Sequence, residues 1–263
     1  MSGRRIVVTS GKGGVGKTTT TANLGATLAK RGRRVVLIDA DIGLRNLDLV
    51  LGLEKRIVFD LVEVAEGRCQ LRQALIKDKR FESLAILPAA QTREKDAITP
   101  EQFAAIVEEA SAHADYVLID SPAGIEAGFR NAVAGAAEAI VVTTPEVSSI
   151  RDADRVVGKI AAGGKPIRLI VNRLRPEMVS SGEMLSVEDV CDVLAIELLG
   201  IVPEDEDVID TTNRGEPIAL REAGRLSAIY DKIARRLEGE LVPFTTFDRQ
   251  GLFNRLMGAL KAG

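Results

Sequence analysis

The eight residues Gly11-Lys12-Gly13-Gly14-Val15-Gly16-Lys17-Thr18 fit the spacing G-x-x-x-x-G-K-[ST], which equips a backbone to hold a row of phosphates. Glycines let the main chain wrap closely around phosphate oxygens with its N–H groups turned inward. A helix that begins there adds the positive end of its dipole. On this reading Lys17 bridges the β- and γ-phosphates of a nucleoside triphosphate, Thr18 gives its hydroxyl to Mg2+, and Thr19 completes the nucleotide-binding positions. The context agrees, because the apolar run Ile6 to Thr9 precedes the loop and a helical pattern, Thr19 to Lys30, follows it.

Three carboxylates complement the loop. Asp120 ends the apolar run Val117-Leu118-Ile119, which places it at the carboxyl edge of a sheet, where open α/β folds bind ligands. It is the expected Walker-B residue. Asp39 and Asp41 close the run that begins at Val35, and alternate residues there can face the same way, toward the magnesium ion and its water. One of the two is expected to orient the attacking water. A single aspartate at a strand end is often only a cap or turn residue, but three beside a phosphate loop point to a site. The predicted chemistry is hydrolysis of ATP with Mg2+, with Thr18, Asp39, Asp41 and Asp120 on the metal side.

The elements that must position these groups are legible as alternating patterns. Short β-branched runs occur at Ile6 to Thr9, Val35 to Ile38, Leu84 to Leu87, Tyr116 to Ile119, Ile140 to Thr143, Ile167 to Val171 and Leu198 to Val202. Continuous apolar runs mark strands buried on both faces. Helical patterns lie between them at Thr19 to Lys30, Glu101 to Ala112, Ala153 to Ala161, Val187 to Leu194 and Leu226 to Leu237. The alternation predicts a three-layer α/β fold of the P-loop NTPase type, with a mainly parallel sheet covered by helices on both faces. A chain of 263 residues with 46% hydrophobic content suits one such domain, expected over residues 1–239.

Charge and composition narrow the partners. The net charge of −3 comes from 35 basic and 38 acidic residues mixed along the chain, so no global field draws it to nucleic acid, and no specific nucleic-acid partner is expected. Cys69 and Cys191 form no metal-like spacing, and residues 1–5 run directly into the first strand without a secretory apolar segment, so the reducing cytoplasm is the expected location. The lone His113 falls at the polar end of a helix, a surface position that excludes serine-hydrolase chemistry built on it.

The pattern breaks at residues 240–251, a Pro243-containing linker, and resumes in a final segment at residues 252–263. There Leu252, Phe253, Leu256, Met257 and Leu260 fall within an arc of about 140° on a helical wheel, flanked by Arg255 and Lys261. A helix of about 15 Å lies in a membrane interface but does not span a bilayer. The segment is expected to anchor on an anionic membrane surface, weakly as one copy and firmly as two.

Lys12, directly after the first glycine, resembles the deviant Walker-A signature of the MinD/ParA family. Longer strings resemble its division-site branch: Asp39 to Asp48, Gln73 to Asp78, Leu87 to Arg93, Asp120 to Glu126, Thr144 to Asp154 and Val202 to Asp205. The resemblance implies an ATP-bound homodimer in which Lys12 reaches the partner's phosphates, so that hydrolysis depends on dimerisation. It implies that Asp41 is the switch residue for hydrolysis, that Asp120 is the Walker-B aspartate, and that Asn172 and Arg173 meet adenine. The loop Pro203, Glu204 and Asp205 would close over the base. Arg45, Asp152 and Asp154 fall in segments that resemble the docking surface for an inhibitor like MinC and an activator like MinE. The implied cycle runs on the cytoplasmic face of the inner membrane.

Other members of the same scaffold are the competing readings. A ParA-type partitioning ATPase needs a basic surface for DNA, against which the acidic balance and the lipid-suited tail argue. An electron donor resembling the nitrogenase iron protein needs bridging cysteines that Cys69 and Cys191 do not supply, and amide ligases share the loop. A flagellar-number regulator carries a similar tail behind an N-terminal extension that is not expected here.

Overall fold

The structure, a computed structural model, describes residues 2–94 and 96–245. Its strands are β1 (Arg4–Thr9), β2 (Val35–Asp39), β3 (Ile76–Lys77), β4 (Leu84–Leu87), β5 (Tyr116–Asp120), β6 (Glu138–Thr143), β7 (Ile167–Leu174) and β8 (Glu197–Pro203). They form one sheet in the order β3-β4-β2-β5-β1-β6-β7-β8. Every neighbouring pair is parallel except the edge pair β3 and β4. The helices are α1 (Lys17–Lys30), α2 (Leu47–Leu51), α3 (Leu61–Ala65), α4 (Leu71–Ala74), α5 (Pro100–Ser111), α6 (Ala127–Gly135), α7 (Val147–Ala161), α8 (Pro176–Ser181), α9 (Val187–Leu194), α10 (Asp207–Asn213) and α11 (Arg225–Leu237).

Alternation along the buried strands sends successive side chains to opposite faces. Val7, Val117, Ile119, Val141 and Val171 join one core with α5, α6, α7 and α9. Ile6, Val8, Leu118, Ile140 and Ile170 join the other with α1, α2 and α11. Two separate cores on one sheet are the predicted three-layer fold. The short α2, α3, α4 and α10 carry no extended helical pattern, and α6 is the Ala/Gly-rich run AGFRNAVAG, whose periodicity is weak. These five and the six-residue α8 lie outside the expected helices.

Register sets the active edge. Asp39 at the end of β2 is the register partner of Asp120 at the end of β5, and Val8 on β1 pairs with Asp120 from the other side. The carboxylates and the loop after β1 therefore share the carboxyl edge. Past α11 the chain stays on the domain, where Arg236 donates to the carbonyls of Val242 (2.8 Å) and Pro243 (2.7 Å) and stacks over Phe244 at 4.0 Å. The tail residues Leu252, Phe253, Arg255, Leu256, Met257, Leu260 and Lys261 lie outside the described residues, and among the described residues no helix is long and apolar enough to cross a membrane.

Candidate active site

The phosphate loop leaves β1 and enters α1 through Gly16, whose φ of 94° places it in the left-handed region that glycine adopts without strain. A Cβ there would also lie 2.3 Å from Asn172 Nδ2. That amide donates to the Val15 carbonyl at 2.8 Å, so β7 buttresses the loop. At its other end Ser10 Oγ donates to the Lys12 carbonyl at 2.8 Å. Gly11 lies flat against α7: a Cβ would stand 2.1 Å from the carbonyl carbon of Asp152, and a helix backbone cannot yield. Gly11→Ala is therefore expected to lower stability by about 3 kcal/mol or to displace the loop; urea unfolding and nucleotide titration read the two outcomes.

Lys17 is buried in the floor of a cavity of about 770 Å3 that Gly13, Gly14, Thr18, Thr19 and Asp41 also line. Thr18 Oγ1 donates to Asp120 Oδ2 at 2.6 Å, and Thr21 Oγ1 donates to the Lys17 carbonyl at 3.0 Å. Burial pushes the Asp120 carboxyl up to about 6, opposed by Lys17 and the Thr18 hydroxyl and reinforced by Asp41. The Asp39 carboxyl is pushed up to about 7 by burial and by Asp120, against the hydrogen bonds it accepts from the main chain. Asp39 and Asp120 thus crowd negative charge at this sheet edge, which favours a neighbouring cation.

A hard cation fits this donor set. Thr18 and Asp41 line one end of the cavity and Asp120 stands behind Thr18, bonded to its hydroxyl; together they offer hydroxyl and carboxylate oxygens, the ligands Mg2+ selects. Among the described residues no three His, Cys, Asp or Glu side chains form a self-sufficient metal cage. Mg2+ held by few protein groups plus substrate phosphates needs none.

Asp39 has a different place from the one its spacing suggested. Its Oδ1 accepts from the Asp41 N–H at 2.9 Å, and its Oδ2 accepts from the N–H groups of Asn46 and Leu47, each at 3.1 Å. Three main-chain donors turn this carboxylate toward the loop that carries Asp41, so it anchors that loop rather than facing the cavity. Alternation predicted the strand end but not this loop, which folds back over it.

The remaining expected residues divide. Lys12 does not line its own cavity; its exposed Nζ lies 3.2 Å from Ser148 Oγ and 3.7 Å from Glu146 Oε2 at the start of α7. Asn172 faces Val15, which leaves Arg173, at a left-handed φ of 55°, as the member of that pair on the cavity wall. Pro203 pairs with Leu174 at the end of β8. Glu204 forms an ion pair with Arg175 and, with Arg173, lines a neighbouring hollow. Asp205 Oδ1 accepts from the Asp207 N–H at 3.0 Å, at the start of α10. Arg45 is not a free surface charge, since its Nε lies 3.1 Å from Oδ2 of the fully buried Asp48. Asp152 is half-buried beside Gly11 and Asp154 is exposed on α7. Sequence reading missed the wall made by Leu49, Val50, Gly52 and Thr212 to Gly215; only the isolated glycines at its two helix ends signal it.

A parallel sheet with this loop, a buried lysine and a Walker-B aspartate hydrogen-bonded to the loop threonine defines a P-loop ATPase. Residues 6–218 match the family described as CobQ/CobB/MinD/ParA nucleotide binding domain. The chain is 58% identical to the septum site-determining protein MinD of Synechocystis over 99% of both chains, and 54% identical to that of Bacillus subtilis over 94% of both. It resembles a solved chain of the MinC:MinD cell division protein complex of Aquifex aeolicus with a TM-score of 0.86 at 53% identity, covering 93% of this chain and 100% of that one. MinD of Pyrococcus horikoshii complexed with Mg-ADP matches with a TM-score of 0.81 at 32% identity, covering 89% of this chain and 96% of that one. The chain belongs to the CobQ/CobB/MinD/ParA nucleotide-binding family, in its septum site-determining MinD branch. It is an ATPase that uses Mg2+.

Proposed function

We propose that this ATPase places the division septum by cycling between a soluble state and an ATP-bound homodimer on the membrane. The observation that carries the reading is the direction of Lys12. It belongs to the phosphate loop yet its Nζ sits at the exposed edge by Ser148 and Glu146, where a facing chain could receive it. A cation supplied in trans neutralises charge that develops on the transferring phosphoryl group. Mg2+ held by Thr18, Asp41 and Asp120 would add positive charge there, while Lys17 grips the phosphates and Asp41 orients water.

In this reading residues 1–239 are the ATPase domain, 240–251 the linker and 252–263 the amphipathic membrane helix. Dimerisation presents two such helices to one surface, and the second engages at high effective concentration. The dimer recruits an inhibitor like MinC through Asp152, Asp154 and the rim around Arg45, a reading that the likeness to a chain of the MinC:MinD complex supports. An activator like MinE triggers hydrolysis and return to the cytoplasm. Arg173 and the Pro203–Asp205 loop close on adenine.

Deleting residues 252–263, or making Phe253→Asp, is expected to abolish ATP-dependent sedimentation with anionic vesicles and leave ATP affinity within about twofold, because a charge at the centre of the apolar arc opposes insertion. Salt is expected to weaken binding by the intact chain. Undiminished sedimentation of the truncated chain would move the membrane contact elsewhere. ATP-dependent binding to duplex DNA would favour the partitioning reading instead.

A further inference from the structure

Behind the cavity wall, outside its lining, the turn between β3 and β4 carries a cluster that the ATPase chemistry does not use. Arg80 Nε and Nη2 donate to the two oxygens of Asp78 at 3.0 and 2.6 Å, and the Asp78 side chain is completely buried. The same guanidinium donates from Nη2 to the Leu51 carbonyl at 3.0 Å and from Nη1 to the Gly215 carbonyl at 3.2 Å. Lys79 Nζ donates to the Gly52 carbonyl at 3.1 Å. One turn thus grips the carboxyl end of α2 and Gly215 in the turn after α10.

The two gripped elements touch through glycines. A Cβ on Gly215 would lie 2.4 Å from Gly52 Cα and 2.7 Å from its nitrogen, and both residues have φ of 67°. No larger residue permits that approach. Leu49, Val50 and Gly52 on one element and Thr212 and Gly215 on the other line the same cavity as Lys17 and Thr18. Arg173, set against adenine in the proposed function, lines this same cavity, so the wall flanks the nucleoside beyond the Lys17 and Thr18 end. The helix α2 has only five residues, too few to hold its own shape. Asp39 ties its start, and Arg80 and Lys79 tie its end.

We infer that Arg80 is a positioning residue for the nucleoside half of the ATP site, clamping α2 against the turn after α10 so that their shared wall keeps its shape. It does not line the cavity itself. The inference rests on the ATP site described above, and a ligand that lacks the nucleoside separates the two. Lysine cannot replace the arginine, because one ammonium does not span Asp78 and two carbonyls in fixed planar geometry.

The test uses the full chain and calorimetric titration with MgADP and with magnesium tripolyphosphate, beside thermal unfolding. Arg80→Lys is expected to weaken MgADP about 10-fold while magnesium tripolyphosphate stays within about twofold. Gly215→Ala, which forces the same two elements apart without altering Arg80, is expected to give the same split and stands in if Arg80→Lys fails to fold. Equal weakening of both ligands, or unchanged MgADP affinity with a lowered unfolding temperature, would overturn the positioning role. Failure of the wild-type chain to bind either ligand would overturn the ATP site itself.

Discussion

Lys17→Ala is expected to weaken MgATP binding by about 100-fold, whereas Lys12→Ala leaves affinity within about threefold and removes nearly all activated turnover. Lys17 is buried in the cavity floor, so its ammonium meets the phosphates with little competing water. Charge-assisted hydrogen bonds of that kind are worth about 1.5–3 kcal/mol, which is roughly one to two powers of ten in affinity. Lys12 is half-exposed and turned to Ser148 and Glu146, so removing it costs the resting site little. A cation brought to the transferring phosphoryl group from a second chain is worth about 1,000-fold or more in rate. Nucleotide titration and lipid- and activator-stimulated phosphate release separate the two lysines. Wild-type turnover by the Lys12 variant would end the trans assignment.

Asp41→Ala is expected to keep MgATP and the ATP-bound dimer while turnover falls about 100-fold or more, the usual loss when a group that handles the attacking water's proton is removed. The fold limits collateral damage. Asp39 holds this loop through the Asp41 main-chain N–H and those of Asn46 and Leu47, so truncating the Asp41 side chain spares the anchor. It also removes a like charge that raises the Asp120 carboxyl, which favours the ionised Walker-B aspartate. The variant is expected to accumulate on vesicles with ATP. Size-exclusion chromatography showing a monomer with ATP would instead assign Asp41 to the switch conformation.

The phosphate loop was legible because its chemistry is local: eight consecutive residues carry their own geometry, and the flanking strand and helix show in hydrophobic period. Asp120 was equally legible from the apolar run that delivers it to the sheet edge. Asp39 was not, since its role depends on Asn46 and Leu47 folding back over the strand end, a contact that no period of two encodes. Arg45 looked like a surface charge because nothing local shows that Asp48 is buried beside it. Arg80 was invisible for the strongest form of that reason, as its partners Leu51 and Gly215 come from opposite ends of the sequence. The antiparallel β3 spans two residues and gives no pattern at all, yet it launches the turn on which Arg80 sits.

Hydrolysis that takes Lys12 from one chain and Asp41 from the other has a distinctive signature when two inactive variants are mixed. Lys12→Ala supplies an intact Asp41, and Asp41→Ala supplies an intact Lys12. In a symmetric dimer each mixed pair contains one complete site, so equimolar mixing with ATP, vesicles and activator is expected to restore up to about a quarter of wild-type phosphate release. Mixed dimers that form, as shown by cross-linking, and yet release no phosphate would place Lys12 in its own chain's site and rule out the trans lysine.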